Sequence, residues 1–163
     1  MTSKPHTLPV VPELKFAEEL SKEVDRLAEL GWAREEGSVG RPSGFPKVSP
    51  ALAKAIAVSP LTLKRWLSGT RVPTRSEQIG VIHLIKAIKT GPEKFKPAKP
   101  PANFAAQLSE ELKRLRELRY RQEQLWEWTD VSANSLTKAW PKGNRVPLLC
   151  AQIGVLALLR ELK

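Results

Sequence analysis

Cysteine occurs once in the 163 residues, at Cys150, which rules out a disulfide framework and a cysteine-rich zinc site. Cys150 sits in an apolar helical run, so a buried structural thiol is expected rather than a nucleophile. No apolar stretch approaches the ~18 residues that a membrane span needs. The opening MTSKPHTLPVVPELK lacks the apolar centre of a secretory signal. A cytoplasmic location is therefore the expectation, with no membrane partner. Strand signals are missing too, since no two-residue alternation is sustained and no hairpin dipeptide separates β-branched runs. His6 and His83 have no companions at ligand spacing, so no metal is expected. The chain shows no nucleophile elbow, phosphate-binding loop, dinucleotide fingerprint or paired carboxylates, and neither an enzyme nor a cofactor is expected.

What the chain does have is positive charge. Lys and Arg total 27 against 17 Asp and Glu, a formal charge of +10 with a pI near 10.0. That balance favours a polyanionic partner, either nucleic acid or an acidic membrane surface. Hydrophobic residues make up 41%, enough for a packed core.

An internal repeat organises the chain. FAEELSKEVDRLAEL (Phe16 to Leu30) matches FAAQLSEELKRLREL (Phe104 to Leu118) at an offset of 88. RVPTRSEQIGVIHLIKAIK (Arg71 to Lys89) matches RVPLLCAQIGVLALLRELK (Arg145 to Lys163) at an offset of 74. The difference places 14 extra residues in the first copy, and the Gly- and Pro-rich GSVGRPSGFPKVSP accounts for them as a loop. The expected organisation is a flexible tail (1–12), repeat 1 (13–89, inserted loop 37–50), a Pro/Lys-rich linker (90–103) and repeat 2 (104–163).

The outer blocks read as helices. Leu14, Ala17, Leu20, Val24, Leu27 and Leu30 recur at three- and four-residue steps, as do Ile79, Ile82, Ile85 and Ile88, and Ile153, Leu156, Leu159 and Leu162. The charges between them, such as Glu18, Glu19, Lys22, Glu23 and Arg26, read as solvated helix surface. In the middle of repeat 1, Ser49-Pro50 caps a short helix to about Ala57. Ser59-Pro60 caps a second, to about Ser68, with Gly69 in its left-handed C-terminal place. Leu52, Ile56, Val58, Leu63 and Trp66 form the inward set, and the tryptophans as a group read as core.

Two short helices around a tight turn make a helix-turn-helix. Leu52-Ala53, Val58-Ser59, Leu63, Arg65-Trp66, Gly69 and Pro73 fall in the order that resembles the lambda-repressor-like (Cro/XRE) family, over roughly Pro50 to Lys89. Repeat 2 keeps Gln122, Glu123, Leu125, Val131-Ser132, Leu136, Gly143 and Pro147. It carries Pro141 near the end of the second helix and one additional residue before Gly143. The resemblance implies an all-α fold of two tandem lambda-repressor-like domains, each of four to five helices.

It also implies contacts to double-stranded DNA. Pro60, Leu61, Thr62 and Arg65 would face bases, with Arg65 suited to bidentate pairing with guanine. Ser59, Lys64, Arg71 and Arg75 would lie against phosphate. In repeat 2, Asn134, Ser135 and Lys138 would face bases and Gln122, Lys142 and Arg145 phosphate. Pro60 and Leu61 depart from the polar residues usual at such places. Arg41 and Lys47 in the inserted loop offer an arm along the backbone or a mobile loop.

The function implied is a nucleoid-associated DNA-binding transcriptional regulator, repressor-like and of the mobile-element, phage or plasmid type. The alternatives are a helical adaptor for polymerase or a replication factor, and an RNA-binding protein. Thirteen linker residues in polyproline form span ~40 Å, comparable with the ~34 Å of one turn of B-DNA. Tethered modules on successive major-groove faces and a compact pseudo-dimer through the apolar last helix both remain open. The same apolar helices also offer a homodimer interface.

Overall fold

The structure is a computed structural model that describes Leu8 and residues 15–32 and 50–163. Nearly all of the tail, most of the inserted loop with Arg41 and Lys47, and His6 lie outside the described residues. Among the described residues the chain is mostly helical, with no strand. None of these helices is long and apolar enough to cross a membrane. Helix α1 (Phe16–Leu27) runs into a wide turn, Ala28–Trp32, broken at Gly31 with φ +95°. Then come α2 (Pro50–Ala55), α3 (Pro60–Leu67), α4 (Arg75–Ala87), α5 (Phe104–Glu117) and α6 (Gln122–Thr129). A π-type turn (Ser135–Ala139) and α7 (Leu149–Glu161) complete the order. Two compact units result. The first holds 15–32, 50–73 and 81–99, and the second holds Leu8, 74–80 and 100–163.

In the first unit, the inward set Leu52, Ile56, Val58, Leu63 and Trp66 is buried, together with Phe16, Leu20, Leu27, Val81, Leu84, Ile85 and Ile88. Full burial of such side chains contributes about 1.5–3 kcal/mol each, which is what holds a unit of this size together. The ring of Trp66 meets that of Phe16 edge-on at 6.2 Å. Arg26 does not lie on a solvated face. Its Nη1 and Nη2 donate to the carbonyls of Ile88 and Ile85 at 2.9 Å each, while Nε pairs with Glu23 at 2.8 Å. Trp32 Nε1 donates to Thr90 O at 2.8 Å, and its ring packs on Phe95 at 5.3 Å. Lys94 N–H turns back to Gly91 O at 3.2 Å. Aromatic burial thus folds the linker's first residues onto the wide turn that follows α1, and they do not run as an extended rod.

The second unit repeats these contacts. Phe104 meets Trp140 at 6.2 Å. Arg114 donates to the carbonyls of Leu162 and Leu159 at 2.9 Å each, with Nε on Glu111 at 2.9 Å. Tyr120, in the place of Trp32, donates to Lys163 O at 3.1 Å. Trp128 Nε1 donates to Leu158 O at 2.7 Å. Leu8 packs against this core.

The additional residue of repeat 2 has a structural address. Leu63 and Trp66 are three apart, whereas Leu136 and Trp140 are four apart, yet both pairs are buried. An inserted residue in an α-helix would swing everything after it by about 100°. The π-type turn absorbs it, with Trp140 N–H on Ser135 O at 3.0 Å, five residues back. Pro141 follows where that helix has already ended.

Also in the second unit, the start of α4 lies against α7 with almost no separation. A Cβ built on Gly80 would overlap the carbonyl oxygen of Cys150, and one on Gly154 would overlap that of Ser76. Gly80 and Gly154 hold the same place in the repeat, as do Ser76 and Cys150, so the crossing is reciprocal. Burial in it pushes the Cys150 thiol up to about 12, and at neutral pH it is not a thiolate.

Because the obstacle is backbone on both sides, Gly154→Ala must part the two helices. A loss of at least ~2 kcal/mol in urea unfolding is expected. An unchanged midpoint would show that the helices are not in this close contact.

Candidate nucleic-acid interface

Helix α3 is fixed at both ends. At its start Ser59 is extended (φ −70°, ψ 148°), its Oγ accepts from Thr62 N–H at 3.1 Å, and Pro60 opens the first turn. The Ser59 and Thr62 hydroxyls share a 2.8 Å hydrogen bond. At its end Gly69 takes φ +73°, a conformation that favours glycine, and donates to Trp66 O at 3.2 Å. Arg71 N–H then returns to Arg65 O at 3.3 Å.

Leu63, Trp66 and Leu67 point into the core, which turns Leu61, Lys64, Arg65 and Ser68 outward on one face by helical spacing. Pro60 and Arg71 are exposed, Thr62 is half-buried, and Leu61 is 54% exposed. From Pro50 to Ser76 the chain has no carboxylate, while Lys54, Lys64, Arg65 and Arg71 are all exposed. The first unit therefore gathers Ser59, Pro60, Leu61, Thr62, Lys64, Arg65 and Arg71 on one helix and the turn that follows it.

Arg75 is placed elsewhere. It belongs to the second unit, where its Nη1 donates to Glu127 O at 2.9 Å and Trp128 O at 2.7 Å. Its backbone N–H reaches Asp130 Oδ2 at 3.2 Å, and Ser76 Oγ donates to Thr129 O at 2.6 Å. Those carbonyls are the unpaired end of α6, so Arg75 caps that helix.

In the second unit the same local frame recurs around the π-type turn. Ser135 N–H donates to Ser132 Oγ at 3.3 Å, and Ser132 Oγ donates to Ser135 Oγ at 2.9 Å. Gly143 has φ +71°, and Arg145 N–H returns to Ala139 O at 3.2 Å. Asn134, Lys138, Lys142 and Arg145 are exposed and Ser135 is half-buried. Gln122 is exposed at the start of α6. The electrostatics differ between the copies, since α2 carries Lys54 and no acid while α6 carries Glu123 and Glu127 and no base.

Scans against protein-family models, curated proteins and solved structures found no match to this chain.

One pair escaped sequence reasoning. Val72 and Val146, in the repeated Arg-Val-Pro, stand 76% and 77% exposed directly after the two candidate reading segments. Their signal was present in the sequence, as an apolar residue kept in both copies outside any helical periodicity. Among the described residues no group of His, Cys, Asp and Glu is arranged to hold a metal ion.

Removing the cap by Ser59→Ala is expected to lower stability by about 1 kcal/mol, and Ser59→Asp to retain it. Thermal unfolding of the two variants checks this. Equal stability for wild type and Ser59→Ala would mean that α3 does not depend on its cap.

Proposed function

We propose that this protein is a DNA-binding transcriptional regulator, in which α2 and α3 form a helix-turn-helix and α3 enters the major groove. The observation that carries the reading is the outward face of α3, with Arg65 and Lys64 on an N-capped helix in a stretch free of carboxylates. A duplex is a surface of dense negative charge, and such a face approaches it without repulsion. Pro60, Leu61, Thr62 and Arg65 meet base edges. Arg65 supplies the bidentate contact to guanine, and Leu61 lies against a thymine methyl. Ser59, Lys64 and Arg71 meet phosphate.

The second copy, with Asn134, Ser135, Lys138, Lys142 and Arg145, forms a tandem domain of the same kind. Its reading segment is remodelled by the π-type turn, and the acids of α6 make it the weaker contact with DNA. On this reading the protein works at the nucleoid, without a cofactor and without catalysis. Arg75 is left out of the interface, because its guanidinium is already engaged by the end of α6.

A second reading, a helical adaptor for another protein, draws on the exposed Leu61 and Val72 beside α3. Scattered exposed apolar residues are ordinary on protein surfaces, which is why it ranks second.

Selection of bound sequences from a random duplex pool separates the two. A regulator enriches a defined motif. Arg65→Ala then loses preference at one base position by about 1–3 kcal/mol, and Arg71→Ala weakens all sequences alike and lowers the salt slope by about 1. Failure to enrich any motif would count against the regulator and turn attention to a protein partner.

A further inference from the structure

The second unit has a partly open cavity of about 310 Å³ between α5, α6 and the π-type turn. Its walls combine apolar side chains, among them Leu112, Leu136 and Trp126, with Lys113 and Arg116. These two cations stand three apart on α5 and thus on one face of it, and no carboxylate lines the cavity. The indole Nε1–H of Trp126 is buried without an acceptor, as is that of Trp66 in the first unit, so this atom by itself marks no site; what Trp126 adds to the cavity is its ring.

The internal repeat supplies a control. In the register that superposes Phe16 on Phe104 and Leu52 on Leu125, repeat 1 has Asp25, Ala28 and Ala53 where repeat 2 has Lys113, Arg116 and Trp126. The first unit builds the same frame of contacts without either cation and without the indole. These three side chains are thus additions to the frame, and they converge on one cavity.

We propose that this cavity binds a small organic anion with a flat aromatic body and one carboxylate. Lys113 and Arg116 hold the carboxylate, while the Trp126 ring packs against the body. The volume is at the lower end for small-molecule sites, which suits a molecule of one or two rings.

The test follows the indole N–H resonance of Trp126 in the ¹⁵N-labelled full chain, assigned by its loss in Trp126→Phe. Benzoate, phenylpyruvate and indole-3-acetate are titrated in turn, with neutral indole as the comparison. At least one carboxylate is expected to shift the resonance saturably and to bind at least ~10-fold more tightly than indole, as removal of a charge-assisted contact predicts. Lys113→Asp with Arg116→Ala, which installs the residues of repeat 1, is expected to abolish that preference. Both positions are exposed, so the fold should hold. If thermal unfolding shows otherwise, Lys113→Gln with Arg116→Gln replaces that pair. The proposal is overturned if none of the three shifts the resonance saturably, if indole binds as well as the carboxylates, or if the preference survives in the folded variant.

Discussion

In each repeat one guanidinium ties the first helix to the last. The final carbonyls of a helix have no partner within it, and leaving them buried and unpaired is costly. Arg26 satisfies two of these at the end of α4, and Arg114 satisfies the corresponding two at the end of α7. A glutamate one turn earlier, Glu23 or Glu111, fixes each guanidinium from behind. The fork geometry of arginine matters here, since a lysine could not span two carbonyls in the same plane. Everything between the two tied helices is held against a core of fixed shape. That includes α2 and α3 in the first copy, and α6 and the π-type turn in the second.

With that frame closed, the outward face of α3 is set by what must point inward. Leu63, Trp66 and Leu67 occupy the core, so Leu61, Lys64 and Arg65 have no inward alternative. The cap at Ser59 and the left-handed Gly69 fix where that helix starts and stops. The second copy shows how tolerant the frame is. It accepts an extra residue by widening one turn and still returns Trp140 to its place beside Phe104. One copy thus keeps a regular α3 between Ser59 and Gly69, while the other carries a π-type turn at the corresponding place.

Much of this was legible in the sequence, and the reasons differ by element. The helical class followed from three- and four-residue apolar steps and from missing strand patterns. The limits of α3 followed from Ser59-Pro60 and Gly69, because capping is local chemistry. The set Leu52, Ile56, Val58, Leu63 and Trp66 was legible because each residue lies within one turn of the next apolar one. Arg26 was not legible, since its carbonyl partners lie about 60 residues away and it sits among glutamates like any surface arginine. For the same reason Arg75 read as a phosphate contact, although it caps a helix about 50 residues away through the carbonyls of Glu127 and Trp128. The extra residue of repeat 2 was visible, but its accommodation as a π-type turn depends on where the core requires Trp140. The cavity was invisible, because it is made of what three separate segments leave unfilled.

The central claim is that α3 is the surface that meets DNA. It is tested most directly by backbone amide NMR of the labelled full chain, titrated with a selected duplex. The account predicts that the largest changes fall on residues 59–72, with weaker ones around 132–146 and little on the buried Gly80 and Gly154 crossing. Changes confined to other surfaces, with 59–72 unmoved at saturation, would contradict it.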